Sequence, residues 1–334
     1  MKFIHTADWH LGNKMHDIDR TKEVKFFLDW LRTQIIENGA QALVVSGDIF
    51  DTANPPNFSK TQYADFLASL QSTCCKNIVV VGGNHDSGDL LDTEKAIFKH
   101  LNIHVVGSLT NTSSDEMVFE LFDEAEQPLA ICAAVPFAHE CELRNYIDEN
   151  KETEDGTFSD RAYGALYKKI LEKAESLRGK KDIPIIATGH LYAANLEGRF
   201  ENQQNENRSD DGRRVLDVVG KLGSVHENIF PKEFDYVALG HIHYTTTVGK
   251  NPKIMYSGSP FVMGFDEAQI PHNVLLVEAK PGKTNVSKLK IPSIVNYRRI
   301  NGDSKTILSF LEEYKKNPPE KRHFLNFTTN SKTA

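Results

Sequence analysis

The sequence predicts an α/β layered fold, and three observations carry that prediction. Over the first 86 residues, short apolar strands alternate with amphipathic helices as strand–loop–helix–strand–loop–helix–strand–loop. Five apolar strands end in a glycine or alanine followed at once by an aspartate, asparagine or histidine. Beyond residue 250, strand-like segments follow one another without intervening helices, as antiparallel strands closing a domain would.

In chain order, Lys2–Thr6 reads as the first strand and leads into Ala7-Asp8-Trp9-His10-Leu11-Gly12. Over residues 17–37 the apolar side chains Val24, Phe27, Leu28, Leu31 and Ile35 recur at helical spacing, and Asn38-Gly39 supplies the stop. Ala42–Ser46 is apolar and partly β-branched, as expected of a strand covered on both faces, and it runs into Gly47-Asp48-Ile49-Phe50-Asp51. Pro55-Pro56 marks a loop and residues 59–70 a second helix. The strand at 78–81 gives way to Gly82-Gly83-Asn84-His85-Asp86.

The middle is less regular. Residues 103–106, 117–121 and 129–135 read as strands, and the acidic stretch 140–160 as a solvated surface segment. A helix over 161–178 places Leu166, Ile170 and Leu177 on one face, and the strand at 183–188 ends in Gly189-His190. Residues 197–214 are so poor in apolar side chains that a mobile loop is expected. The strand at 236–239 ends in Gly240-His241-Ile242-His243, and 253–257, 273–279 and 286–291 are expected to be antiparallel strands. After Pro292 the character changes: a helix over 304–314 and a strand over 323–327 cannot bury a core unaided. The chain therefore divides into residues 1–292 and a small α+β segment, 293–334, which either packs on the first domain or begins a domain that is partial here.

Bulk properties narrow the class. The 334 residues are 40% hydrophobic and 25% charged, the balance of a soluble globular protein. A formal charge of −7 argues against coating nucleic acid through a generally basic surface, although an acidic metal site lowers net charge while its cations restore it locally. The N-terminal apolar region is too short for a signal peptide, and no apolar run approaches the roughly 20 residues that span a bilayer, so a cytoplasmic protein is expected. Cys74, Cys75, Cys132 and Cys141 have neither disulfide-framework nor zinc-ribbon spacing and are expected to be reduced thiols.

The chemistry lies in the five strand ends: Asp8-x-His10, Gly47-Asp48-x-x-Asp51, Gly83-Asn84-His85-Asp86, Gly189-His190 and Gly240-His241-x-His243. A lone strand-end histidine is ordinarily a satisfied surface or core residue. Five clusters with one topology are different, because parallel strands of one sheet would deliver them all to one edge, where open α/β sheets bind ligands. Imidazole and carboxylate without thiolate suit manganese, iron or zinc. The ligands outnumber the needs of one tetrahedral ion, which favours a two-metal centre of the kind that clamps phosphoryl oxygens and activates water.

Taken together, these motifs resemble the calcineurin-like metallophosphoesterase superfamily. Ile4-His5-Thr6-Ala7-Asp8-Trp9-His10-Leu11-Gly12, the Gly47–Asp51 stretch with Pro55-Pro56, and Asp235-Tyr236-Val237-Ala238-Leu239-Gly240-His241-Ile242-His243 resemble most closely its SbcD branch, the nuclease subunits of bacterial DNA-repair complexes. The likeness covers residues 1–292, with gaps in the acidic middle and at 197–214. It implies a four-layer sandwich of two mixed β-sheets flanked by helices, with a small capping domain. It implies two divalent cations, manganese first and magnesium, iron or zinc as alternatives. One would be held by Asp8, His10 and His243 and the other by Asn84, His190 and His241, with Asp48 between them. His85 matches the catalytic histidine, oriented by a carboxylate such as Asp51 or Asp86. The implied activity is metal-dependent DNA hydrolysis, exonucleolytic on duplexes and endonucleolytic on single strands or hairpins, in DNA repair, recombination and replication. A homodimer would perform it with an SbcC-type coiled-coil ATPase.

Two other functional readings stand beside this one: a phosphodiesterase or phosphatase of small substrates, and an inactive scaffold that only binds DNA. Elsewhere the bland readings lead. Trp9 is expected to pack beside the site, His5 to be structural, and Lys14, Arg20 and Lys60 are as readily solvated as bound to phosphates. Arg213 and Arg214 could help grip DNA.

Overall fold

Alternation along single strands sets up the layers. In β1 (Lys2–Thr6) Phe3 joins one core and Ile4 another. The computed structural model describes residues 1–110, 112–147, 156–193, 225–319 and 321–329. After β1 come a short hairpin, β2 (Lys14–Met15) and β3 (Ile18–Asp19), then α1 (Thr21–Asn38), β4 (Ala42–Ser46), α2 (Asn57–Leu70) and β5 (Asn77–Val81). The split repeats in β4, with Ala42 and Val44 in the first core and Leu43 and Val45 in the second, and in β5, with Val79 and Val81 against Ile78 and Val80. Successive strand side chains point to opposite faces, so this sheet is buried on both sides. Val24, Phe27, Leu31 and Ile35 of α1 and Phe66 and Leu67 of α2 cover one side.

A second sheet covers the other side. The chain continues through α3 (Gly88–Asp92), α4 (Lys95–Lys99), β6 (Ile103–Val106), β7 (Val118–Phe122), β8 (Pro128–Val135), α5 (Glu140–Leu143), α6 (Phe158–Arg178), β9 (Ile185–His190), β10 (Tyr236–Gly240), β11 (Thr246–Val248), β12 (Asn251–Tyr256), β13 (Asn273–Lys280) and β14 (Lys283–Lys290). The first sheet runs β14-β13-β1-β4-β5-β6, parallel from β1 to β6 and antiparallel at β13 and β14. The second runs β11-β12-β10-β9-β8-β7, its four central strands parallel and both edges antiparallel. Tyr163, Leu166, Tyr167 and Ile170 of α6 are buried in the core that contains β8 and β9. Helices, sheet, sheet and helix make the four layers expected.

Several boundaries differ from expectation for identifiable reasons. The helix expected from residue 17 begins at Thr21, because His16 and Asp17 both adopt positive φ (47° and 63°) and close the β2–β3 hairpin. Helix α6 starts three residues early, at Phe158, because the Thr157 hydroxyl and Asp160 carboxylate form a capping box. The acidic stretch expected to be solvated surface therefore contains α5 and the first turn of α6, while 148–155 lie outside the described residues. Strand β12, expected to be antiparallel, pairs parallel with β10, because β11 carries the chain back first and the hairpin then seats β12 beside β10. The expected mobile loop at 197–214, with Arg213 and Arg214, lies outside the described residues.

The C-terminal segment packs on the main domain. β15 (Val295–Gly302) and β16 (Arg322–Thr329) form a parallel pair, with α7 (Ser304–Lys316) between them. Val295, Tyr297 and Phe324 close a small core with Met15 of the hairpin and Phe265. The Tyr297 hydroxyl donates to the Glu23 carboxylate at 2.7 and 2.9 Å, and the Arg20 guanidinium lies over the Phe261 and Tyr297 rings. Among the described residues no helix is long and apolar enough to cross a membrane.

Candidate metal centre

The five motif loops converge, but from two sheets rather than one. β1, β4 and β5 of the first sheet deliver Asp8, His10, Asp48 and Asn84, while β9 and β10 of the second deliver His190, His241 and His243. The expectation of a single sheet edge is corrected accordingly: the centre lies where the carboxyl ends of two facing parallel sheets meet.

Backbone hydrogen bonds prolong the β1–β4 pairing past the strands. Asp8 N donates to Gly47 O at 2.9 Å, His10 N to Asp48 O at 3.0 Å and Leu11 N to Ile49 O at 2.9 Å. To bring their carboxylates and imidazole inward, Asp8, His10 and Asp48 take left-handed backbone conformations, with φ of 54°, 44° and 51°; His241 takes 110°. Such conformations cost free energy for residues with a Cβ and cluster at functional sites. Two glycines permit the approach. A Cβ at Gly47, whose φ is +87°, would lie 2.2 Å from His190 Nδ1, and one at Gly83 would lie 2.1 Å from Asp48 Oδ1.

Among the described residues the donor atoms fall into three overlapping groups, one of which joins His10, Asp51 and His85. Asp8, His10 and His243 bring ligand atoms within 4.8 Å of one another, as do Asp8, Asp48 and His190. His10 Nε2 and His243 Nε2 are 3.3 Å apart, and Asn84 Oδ1 lies 3.0 Å from His190 Nε2 and 2.9 Å from His241 Nδ1. Asp48 Oδ2 is 3.6 Å from His10 Nε2 and 3.4 Å from His190 Nε2, between the groups, while its Oδ1 accepts the His85 N–H at 2.9 Å. One oxygen of Asp8 accepts the His241 N–H at 2.9 Å; the other, Oδ2, is buried with no hydrogen-bond partner. Buried acceptors are almost always satisfied, so an orphaned carboxylate oxygen facing converging imidazoles fits a cation.

Nδ1 of three of the four histidines faces an oxygen, at hydrogen-bond distance in His190 and at ion-pair distance in His10 and His243, leaving Nε2 for the centre. His190 Nδ1 donates to Ser46 O at 2.9 Å, His10 Nδ1 is 3.4 Å from Asp51 Oδ1, and His243 Nδ1 is 3.6 Å from Glu267 Oε1. Asn13 Nδ2 in turn donates to Asp51 Oδ1 at 3.0 Å.

Electrostatics follow from burial and crowding. Burial raises the Asp8 carboxyl against the pull of His190 and His243. Burial would also raise Asp48, but the charge and hydrogen bond of His190, with His10, hold it well below the usual carboxylate range. His190 and His243 are buried, which disfavours their charged forms, yet Asp48 beside His190 and Glu267 beside His243 lift both to about 9. Burial and the neighbouring His190 push His241 down to about 3. The metal-free centre thus stores protons on imidazoles among carboxylates, and cations would replace them.

His85 is oriented differently from expectation. Its Nδ1 is 2.9 Å from the main-chain carbonyl of Asp51, which only accepts, so Nδ1 carries the proton. The Asp51 carboxylate serves His10 instead. Asp86 spends its carboxylate on three N–H groups, those of Ile49 (3.0 Å), Phe50 (2.8 Å) and Gly83 (2.9 Å), and so staples two motif loops together. Orientation of His85 by a carboxylate is therefore corrected to orientation by a carbonyl. Burial and nearby Asp48 push Asp86 up to about 6.

Other residues resolve clearly. Trp9 is fully buried, donates to Thr6 Oγ1 at 2.9 Å and packs edge-on against Phe27 and Phe66. His5 is buried between the sheets, bonded to Tyr236 Oη at 3.0 Å and Leu239 O at 3.2 Å. Arg20 is not available to phosphate: it is buried and holds Glu23 and the Val262 carbonyl. Reasoning from sequence missed Glu267, which lies in no motif, and the Ser46 and Asp51 carbonyls, which any residue could supply.

The calcineurin-like phosphoesterase family model matches residues 1–245. The chain is 32% identical over 316 residues to the SbcD subunit of the SbcCD nuclease of Escherichia coli K12, covering 94% of this chain and 74% of that protein. It is 30% identical over 318 residues to the protein of the same name in Bacillus subtilis, covering 94% and 76%. The Rhodobacter capsulatus counterpart is 30% identical over 287 residues, covering 84% and 67%.

Proposed function

This chain belongs to the calcineurin-like phosphoesterase family, among the SbcD nucleases, and from that premise we propose that it is a metal-dependent DNA nuclease acting on duplex ends and on single-stranded or hairpin DNA. The observation that carries the reading is Asp48, whose Oδ2 lies within 3.6 Å of imidazoles from both ligand groups. One cation is assigned to Asp8, His10 and His243, the other to Asn84, His190 and His241, with Asp48 shared; manganese is the first candidate. When bound, such ions neutralise a phosphodiester and lower the pKa of the attacking water.

The chain's own residues then have definite work. The two loops zipped from β1 and β4 hold Asp8, His10 and Asp48 in one register, so the substrate phosphate meets a preorganised site. His85 is tethered by its own N–H to Asp48 and by Nδ1 to the Asp51 carbonyl, which leaves Nε2 for the substrate. From Nε2 it gives a proton to the sugar oxygen as that oxygen's bond to phosphorus breaks, while the water's oxygen forms the new bond and its proton passes to solvent. Asp51 contributes by fixing His10, and Asp86 by joining the loops.

We place a domain boundary at 292/293, supported by β15 and β16 pairing with each other and with neither six-stranded sheet. An SbcC-type ATPase partner joins the proposal on the strength of the relatives' name; a homodimer and a cytoplasmic location are carried over from the family resemblance and the sequence alone. The test is manganese-supplemented cleavage of end-labelled duplex and hairpin DNA, with and without the ATPase, beside bis-p-nitrophenyl phosphate. DNA cleavage is expected; hydrolysis of the small diester with DNA left intact would overturn it.

A further inference from the structure

Among the described residues, Glu267 is the one buried carboxylate near the centre that no motif explains. It is 6% exposed, in a short turn 24 residues beyond His243 in sequence, and its burial would ordinarily favour the neutral acid. Its two oxygens have separate partners: Oε2 accepts the Met263 N–H at 2.8 Å, and Oε1 lies 3.6 Å from His243 Nδ1, the distance of an ion pair. The turn is closed by Glu267 N donating to Gly264 O at 2.9 Å and Ile270 N donating to Glu267 O at 2.8 Å. His243 Nε2 meanwhile faces His10 Nε2 at 3.3 Å. Imidazole Nδ1 on a carboxylate and Nε2 on the centre is the arrangement by which an outer carboxylate fixes ring orientation and raises ligand basicity.

The turn is also gripped from its far side. Phe265 packs on Tyr297 (ring centroids 5.9 Å) and on His16 (5.8 Å), in the small core shared with Val295 and Phe324. The Val262 carbonyl just upstream accepts from Arg20 Nη1 at 2.9 Å, and Arg20 and Tyr297 meet on Glu23. A continuous run of contacts therefore joins the C-terminal strands to one face of the turn and His243 to the other.

We propose that Glu267 is a positioning residue for the cation site of Asp8, His10 and His243, and that the C-terminal strands set its place. The inference rests on the two-metal reading above. Glu267 holds the His243 ring so that Nε2 points at the site, while the second group, Asn84, His190 and His241, does not depend on it.

The experiment is manganese binding to the full chain by isothermal titration calorimetry and by EPR, for wild type, E267A and the near-isosteric E267Q, with metal-free thermal melts of each. Wild type is expected to take up two manganese ions. E267A is expected to bind one of them about 10- to 100-fold more weakly and leave the other unchanged, with E267Q falling between. Wild-type binding at both sites in E267A would overturn the role of Glu267 while leaving the two-metal centre standing. Equal weakening at both sites in E267Q, with a lowered metal-free melt, would reduce Glu267 to a general structural residue. A wild type that binds no manganese would overturn the two-metal reading and this inference together.

Discussion

The two halves of the metal centre are built differently. The half from the first sheet rides on loops, and those loops are cross-tied by backbone: Asp8, His10 and Leu11 donate to residues 47–49, and Asp86 gathers three further N–H groups. The half from the second sheet depends on individual side chains. His190 is still within β9 and is fixed by one carbonyl, while His241 and His243 lie past β10 and lean on Asp8 and Glu267. Preorganisation in the first half is thus spread over many main-chain bonds, and in the second concentrated in a few contacts. Asp48 joins them.

Breaking that joint has the largest expected effect. Asp48→Ala should reduce manganese uptake at both sites together and abolish cleavage, measured by calorimetry and by DNA hydrolysis; loss at one site alone would demote Asp48 to an ordinary ligand. His85→Gln tests chemistry apart from binding. It should keep both metals and lose about 10²- to 10⁴-fold in cleavage rate, the usual worth of a positioned general acid; near-wild-type rates would remove His85 from the mechanism.

Asp86→Ala probes the cross-tied half. Three buried N–H groups lose their acceptor at about 1–3 kcal/mol each, so a drop in unfolding free energy of about 3 kcal/mol or more is expected in denaturant melts. An unchanged melt would show that the loops are held by other means.

Acidity probes the other half. His190 and His243, lifted from 6.5 to about 9, are protonated in the metal-free centre at neutral pH. Their raised values stabilise the metal-free fold below about pH 6.5, and that contribution is lost as pH climbs through about 9. Cations need the neutral rings, so apparent manganese affinity should rise over the same window, by up to about tenfold per pH unit for each proton displaced. Metal-free melting temperature and metal affinity should therefore move in opposite directions between pH 6.5 and 9. Parallel movement would contradict the assignment.

The legible part of the site was the part written in side chains. Asp8, His10, Asp48, Asn84, His241 and His243 follow short apolar strands and His190 ends one, and the structure brings all seven together. Their division between two sheets was not legible, because strand pairing is non-local and a strand end looks alike in either sheet. The acceptors Ser46 O and Asp51 O left no trace for the same kind of reason, since main chain has no residue signature. Glu267 reaches the centre only because Phe261–Ala268 folds back against the hairpin and the C-terminal strands. Elements went similarly: α1 announced itself by periodicity, whereas β15, with Arg298 and Arg299 inside it, does not read as a strand.

The central claim is a pair of cations held through one shared carboxylate. The most direct test is EPR of the full chain loaded with two equivalents of manganese. Two ions sharing Asp48 are expected to give the signal of an exchange-coupled pair, lost in Asp48→Ala; two independent mononuclear signals in the wild type would contradict that arrangement.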